Sequence, residues 1–242
     1  MEDWNEQVSL LTGMAAAHLM VEARIGILRT LPQPEPWAIE RLRRTAQALG
    51  IAWPQAMPYA QFIDSLDPAR PRHVAMMTAS TSVLRGAGYA AFDGALPAQP
   101  MHWPLAAEYT HATAPLRRLV DRYTGETCVA LCAKLPVPDW VRTALPALPA
   151  TMQDADHRAS RFERAVLDLV EAATLASRVG EVFDGSIVEL QRGDPRQGVV
   201  MLRDPAIEAP VSGDAPLPLG DSVRVRLVEA DPQRRITRFA LA

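Results

Sequence analysis

Residues 181–190 (EVFDGSIVEL), 198–204 (GVVMLRD), 207–212 (IEAPVS), 221–231 (DSVRVRLVEAD) and 234–242 (RRITRFALA) are five short runs with period-2 stretches, parted by glycine, proline and aspartate. Alternation sends successive side chains to opposite faces of an extended chain, so each run predicts a strand with one face buried. Five such strands in succession predict a small Greek-key barrel of the OB type. The expectation is an antiparallel unit over residues 180–242, separable from what precedes it.

Upstream of Gly180 the period changes from 2 to helical. Residues 2–31 carry apolar side chains at helical spacing and meet no proline until Pro32, which predicts one long, largely buried helix. Pro36 then opens a second helix that Gly50 closes, and short helices are expected after Pro58 and Pro71. Residues 86–94 (GAGYAAFDG) read as a strand between glycine breaks, and 102–113 as another. From Thr113 the pattern is helical again up to Pro136. A further helix runs from about Thr151 to Arg178, with Phe162, Val166, Leu169 and Val170 forming an apolar stripe expected to pack on a core. The fold class is therefore α+β: a mainly helical region over residues 1–179 carrying a few strands, followed by the five-stranded barrel.

Bulk properties narrow the class. The chain has 242 residues, 48% hydrophobic and 22% charged, enough to build a sizeable core. No apolar run is long enough to span a bilayer, the polar start MEDWNEQ is unlike a secretory signal, and two cysteines give no disulfide framework. A reducing cytoplasm with no membrane association is the expectation. The net charge of −3 lacks the basic footprint usual in nucleic-acid binders, although a local basic pocket is compatible with it. From Gly180 onward ten acids face eight arginines, and Phe183 and Phe239 are the only aromatics there. Such a barrel is poor in the stacking rings and positive groove that hold single strands, so guiding or lidding is at least as good a role for it.

The chemistry concentrates in residues 109–118, YTHATAPLRR. Thr113 suits an N-cap and Pro115 a first turn, which would put Arg117 and Arg118 at a helix N-terminus. That end already carries about half a positive charge, so two cations there require an anion or acidic side chains against them. A bound phosphodiester and carboxylates from elsewhere in the fold remain equal readings on physics alone.

The stretch YTHATAPLRRLVDRY resembles the signature of the ribonuclease II/R-type (RNB) exoribonucleases, usually YTHFTSPIRRY. Tyr109, Thr110, His111, Thr113, Pro115, Arg117 and Arg118 match it. Ala112 replaces an aromatic, Ala114 a serine, and Asp121 stands where histidine is common. Two further stretches agree in order along the chain. NEQVSLLTGMAAA resembles the family helix EE-x-M-L-L-A-N-x-x-A-A, with Glu6 matching its first acid, Gln7 replacing the second and Gly13 at the usual asparagine. Residues 154–187 resemble the SERRA-x-x-x-E-R-x-V helix that leads into the G-x-x-F-x-G-x-I start of the terminal barrel. Arg158, Ala159, Glu163, Arg164, Gly180, Phe183, Gly185 and Ile187 are in register.

The resemblance implies that residues 1–179 are the C-terminal portion of an RNB catalytic domain and 180–242 an OB-fold barrel of RNA-binding type. It implies hydrolytic 3′-to-5′ removal of nucleotides from single-stranded RNA, with Arg117 catalytic beside the scissile phosphate. Tyr109, His111, Thr113, Arg118 and Glu6 become candidate RNA contacts. It also implies Mg²⁺ held by an aspartate cluster of the form D-x-x-x-A-x-D-x-D-D-A, which this sequence does not show. An upstream half carrying that cluster is thus an implied partner. The alternative is a non-catalytic RNA-binding or scaffold fragment of a truncated or split gene. Asp154 and Asp156 imitate the cluster most nearly, but acids at the expected helix start need no metal. Cys128 and Cys132 share a helix face and read as buried apolar residues. His111 reads as a brace for its strand more than a contact, His18 as structural, and the five tryptophans as packing residues.

Overall fold

The computed structural model describes residues 2–84 and 86–242, with nothing said of the side chains of Glu2, Asp3 and Leu84. In chain order the elements begin with α1 (Glu2–Ala23), β1 (Ile25–Thr30), α2 (Pro36–Ala48), α3 (Tyr59–Asp64) and α4 (Pro71–Ser80). Next come β2 (Gly88–Asp93), β3 (Met101–His102), β4 (Ala107–Glu108), α5 (Leu119–Cys132), α6 (Asp139–Ala144) and α7 (Leu148–Leu175). The last five are β5 (Val182–Gln191), β6 (Asp194–Leu202), β7 (Glu208–Ser212), β8 (Ser222–Asp231) and β9 (Ile236–Leu241). They divide between two compact units, residues 1–33 with 84–160, and residues 34–83 with 161–242. Residues 34–83 therefore group with the barrel, although they precede Gly180 by roughly a hundred residues in sequence.

The barrel is closed, in the order β5-β6-β7-β9-β8. Its inward positions make one apolar core, with Phe183, Ile187, Val200, Leu202, Leu227 and Phe239 almost fully buried. The rings of Phe183 and Phe239 meet edge to face at 5.7 Å. Both aromatics of the barrel thus belong to its interior and leave no outward stacking platform of aromatic rings. The five strands fall where alternation predicts them, but the barrel is not wholly antiparallel. β7 and β9 run parallel, pairing Val211 with Phe239 and Ser212 with Ala240. Closing a five-stranded sheet needs one such pair, because an odd number of strands cannot alternate direction all the way round.

The first unit holds β1 antiparallel to β2 and a core of Ile25, Ile27, Val120, Val141, Leu145 and Leu148. Here the single helix expected over residues 2–31 is corrected. α1 stops at Ala23, Arg24 takes a left-handed backbone (φ +57°), and residues 25–30 are a strand. The run IGIL satisfies either period, and β-branched Ile25 and Ile27 beside Gly26 favour the extended form. α1 is also largely exposed rather than buried: Trp4, Val8 and Leu11 lie in solvent, and Gly13, Ala16, Ala17 and Met20 form its covered face.

Other expectations change in detail. The strand expected over 102–113 shrinks to two short pieces around a 3-10 turn at Trp103–Leu105. The stripe of α7 expected to pack on a core is exposed, Phe162 at 75%. Cys132 is exposed and Cys128 only half-buried, with burial pushing its thiol up to about 11. Trp4 and Trp37 are exposed; Trp53 does pack, stacked on Phe62 at 4.0 Å under the Arg43 guanidinium. Among the described residues no helix is long and apolar enough to cross a membrane.

Candidate nucleic-acid interface

The segment from Tyr109 to Asp121 lies in the first unit, against α1 and β1. Backbone bonds fix its start: Arg29 N–H donates to the Tyr109 carbonyl at 2.7 Å, and Thr110 N–H to the Gly13 carbonyl at 3.3 Å. Gly13 is required by that approach. A Cβ there would overlap the Tyr109 ring and the Thr110 carbonyl oxygen. This accounts for glycine at the position where the family pattern has asparagine, since no side chain would fit.

Past Thr113 the expected helix start is corrected. Residues 115–117 form a turn, and α5 begins only at Leu119, with Arg118 as its uncapped flanking residue. Thr113 is exposed and caps nothing. What holds the turn is Asp121, whose side chain is fully buried. It accepts the Ala114 N–H at 2.7 Å and two bonds from Arg118, Nε at 2.9 Å and Nη2 at 2.8 Å. This departure from the usual histidine is thus the carboxylate that the arginines were expected to need, and it sits in the first turn of α5, where the backbone favours an anion. Arg118 is neutralised in place. Arg117 is different: it is exposed, and among the described residues its side chain has neither hydrogen bond nor ion pair. The turn therefore holds one guanidinium down and presents the other.

Behind the turn the structure assembles an aromatic and cationic cluster. Tyr109 is buried, with the rings of His102 and His111 edge-on at 5.5 and 5.6 Å. His111 Nδ1 lies 2.6 Å from the Tyr89 hydroxyl. Burial, with Arg118 and Arg29 nearby, lowers His111 to about 4, while burial pushes Tyr89 up to about 12. At neutral pH the bond therefore joins a neutral phenol to a neutral imidazole. This is the bracing role expected for His111. Thr110 and Thr124 hydroxyls meet at 3.4 Å beneath it.

Arg29 escaped the sequence reading because it lay in a presumed helix. It is the register partner of Tyr89 across β1 and β2, and its guanidinium stacks on that ring at 4.7 Å. Its Nη1 faces Asp156 at 3.7 Å yet is buried without a hydrogen bond. Of the predicted residues, then, Tyr109, His111 and Arg118 converge, Thr113 and Arg117 stand on the exposed turn, and Glu6 lies on the exposed part of α1.

The implied Mg²⁺ does not fit the residues present. Among the described residues no group of three or more His, Cys, Asp or Glu side chains is placed to hold a metal ion. Asp154 and Asp156 lie inside α7 rather than at its start, and Asp156 is turned to Arg29.

Comparison with known proteins bears on the fold and on the barrel. Residues 181–242 match the RNase II-type exonuclease C-terminal S1 domain. An uncharacterized ribonuclease of Synechocystis is 28% identical over 131 residues, 54% of this chain and 20% of its own length. Ribonuclease R 2 of Lactococcus lactis is 32% identical over 94 residues, 38% of this chain and 14% of its own. The apo form of Mycoplasma genitalium RNase R superposes on 100% of the chain with a TM-score of 0.68 at 16% identity, over 42% of its length. The fold is shared as well by yeast Ssd1, a pseudonuclease (TM-score 0.52, 15% identity, 91% of this chain and 28% of its own). The fold is that of RNase R-type proteins, a pseudonuclease among them, and the barrel matches the terminal domain of RNase II-type exonucleases. The chain is similar to ribonuclease II/R-type (RNB) proteins, with residues 181–242 matching the RNase II-type C-terminal S1 domain. It spans well under half the length of each of these relatives.

Proposed function

We propose that this chain supplies the phosphate-handling turn and terminal barrel of a cytoplasmic 3′-to-5′ exoribonuclease acting on single-stranded RNA. The observation that carries the reading is Arg117: an exposed, unpartnered guanidinium on a turn pinned by its buried neighbour Asp121. A guanidinium offers two parallel N–H donors to phosphate oxygens, and one fixed before the reaction stabilises charge that develops there. Arg117 is the catalytic residue in this reading. Tyr109, His111 and Arg118 shape the wall beside it, Thr113 lines the strand's path, and Glu6 contacts RNA from α1. Residues 1–179 act as the catalytic-domain portion and 180–242 as the RNA-guiding barrel.

Hydrolysis needs a carboxylate cluster that the described residues do not bring together, so the proposed partner is an upstream half bearing the aspartate cluster and its Mg²⁺. The uncovered apolar stripe of α7, Phe162 with Val166 and Val170, supports a further polypeptide beside this one. The lack of a carboxylate cluster among the described residues favours the second reading, a non-catalytic RNA-binding or scaffold protein.

The deciding experiment reconstitutes the enzyme with the upstream half and compares Arg117→Ala with wild type in single turnover. The expected loss is about 10²–10³ in rate. Arg117→Lys should recover only part of it, since a point charge cannot make the bidentate contact. An unchanged rate removes Arg117 from catalysis, and no turnover by the reconstituted wild type leaves the scaffold reading.

A further inference from the structure

The second unit contains an arginine-rich cavity that the family resemblance did not touch. It has a volume of about 430 Å³ and is bounded by the end of α2, the first turn of α4 and the bend between β6 and β7. Arg70, Arg72, His73 and Arg203 line it, with Asp204 the carboxylate in its wall. Helix stability does not explain these cations. α4 begins with Arg70, Pro71, Arg72 and His73, carries no acid in its first turn and has no side-chain cap. This is the end where cations are disfavoured.

The charges are unevenly matched. Arg70 is held by Asp67 at 3.2 Å. Arg72 and Arg203 have no ion pair among the described residues, and Asp204 has none either. With Asp67 counted against Arg70 and Asp204 against one of the others, one guanidinium remains uncompensated, in a chain whose net charge is −3. His73 adds a donor: its Nδ1 accepts the Asp67 N–H at 2.8 Å, which places the ring proton on Nε2. Ile51, Pro71 and Ala206 supply an apolar wall between these groups. The volume lies within the roughly 300–1,000 Å³ of small-ligand sites, room for a nucleotide unit rather than a bare ion.

We propose that this cavity binds a phosphodiester of single-stranded RNA, with Arg72 and Arg203 on the phosphate oxygens and the apolar wall against ribose or base. The proposal rests on the RNA reading above and adds a second contact region, in the barrel's own unit. It also answers the barrel's poverty in outward aromatics. The strand would be held beside the barrel by guanidinium groups from α4 and the β6–β7 bend.

Counterion release makes this measurable. Each phosphate contact on a single strand contributes about 0.7 to the slope of log affinity against log salt. Binding of a fluorescein-labelled oligouridylate to the 242-residue chain would be followed by anisotropy across a potassium chloride series. Arg72→Ala with Arg203→Ala should flatten the slope by roughly 0.7 and weaken binding. Arg203→Ala alone, on an exposed bend, should give part of that flattening and serves if the double variant fails to fold. An unchanged slope overturns the cavity while leaving the Arg117 reading intact, because that reading is judged on turnover rate. Oligouridylate that fails to bind the wild type overturns it too. So does a variant-sensitive affinity for polyglutamate that exceeds the affinity for RNA, which would make the site one for an acidic protein.

Discussion

Arg41 beside the barrel and Arg117 on the turn are the same side chain under opposite constraints. Arg41 projects from α2 with its side chain 10% exposed, and binds two strands at once, Nε to Glu189 on β5 and Nη2 to Glu208 on β7. Arg44, one position short of a helical turn further on, donates to the Val188 carbonyl at 3.0 Å. At this seam of α2 with β5 and β7 the cations are consumed by the fold. On the turn, one buried carboxylate satisfies Arg118 and the backbone together, and Arg117 is left to solvent. The contrast teaches that an arginine's role here is decided by whether a carboxylate has been placed within its reach, and the sequence motif alone does not show that.

The largest effect that can break the contrast concerns activity as a whole. Purified 242-residue chain should show negligible Mg²⁺-dependent RNA degradation, because among the described residues no group of acids is placed to hold the ion. Robust turnover abolished by EDTA would redirect attention to Asp154 and Asp156. Next in size is Asp121→Ala. It strips a half-buried Arg118 of its partner and leaves the Ala114 amide unsatisfied, for which about 2–3 kcal/mol is expected. Denaturant titration should show that loss, and RNA affinity should fall as the turn loosens. A variant as stable as wild type would mean that the turn is held by something other than its carboxylate.

Arg41→Ala tests the other arm. Losing charge-assisted bonds to two half-exposed glutamates should cost about 2 kcal/mol. In a domain pair of this size that corresponds to a melting temperature lower by roughly 4–8 °C. Arg117→Ala should stay within about 0.5 kcal/mol of wild type. If the two arginines exchange places in this comparison, Arg117 is a structural ion pair and the functional reading of the motif fails.

Much of this was legible beforehand, and the parts that were not share a cause. The barrel strands announce themselves because alternation and turn residues are local signals, and the α2 boundaries follow from Pro36 and Gly50 for the same reason. IGIL at 25–28 was ambiguous because a short apolar run fits either period. Its strand identity is conferred by β2, some sixty residues away in sequence. The same pairing creates the stack of Arg29 on Tyr89, so no local pattern could have revealed it. The α7 stripe was read as buried because amphipathicity reports that a face is apolar, not that this chain covers it. Tyr109, His111 and the arginine pair were found through family resemblance, while the division of labour between Arg117 and Arg118 needed Asp121 in three dimensions.

The smallest effect separates the two regions by their response to pH. On the turn, Asp121 is fully satisfied. Beside the barrel, Glu171 on α7 is not: burial first, then Asp168 and Glu208, push its carboxyl up to about 7, against a partial opposing pull from Arg164. Arg164 is engaged by Asp168 at 2.8 Å, which explains why it does not hold Glu171 charged. A carboxyl whose folded value lies above its unfolded value of 4.5 binds its proton more tightly when folded. Its favourable contribution is complete below the unfolded value and is lost as pH rises toward about 7. Glu171→Gln keeps the neutral shape and removes the titration. The variant should therefore match wild type near pH 4 and be the more stable at pH 8. The gain should be about 1 kcal/mol, discounted because the site is partly solvated. Thermal melts of both proteins across that range give the difference directly, and the common titration of all other groups cancels. A gap that is the same at both ends of the range would show that burial does not strain this carboxylate, and the barrel region would then be as well satisfied as the turn.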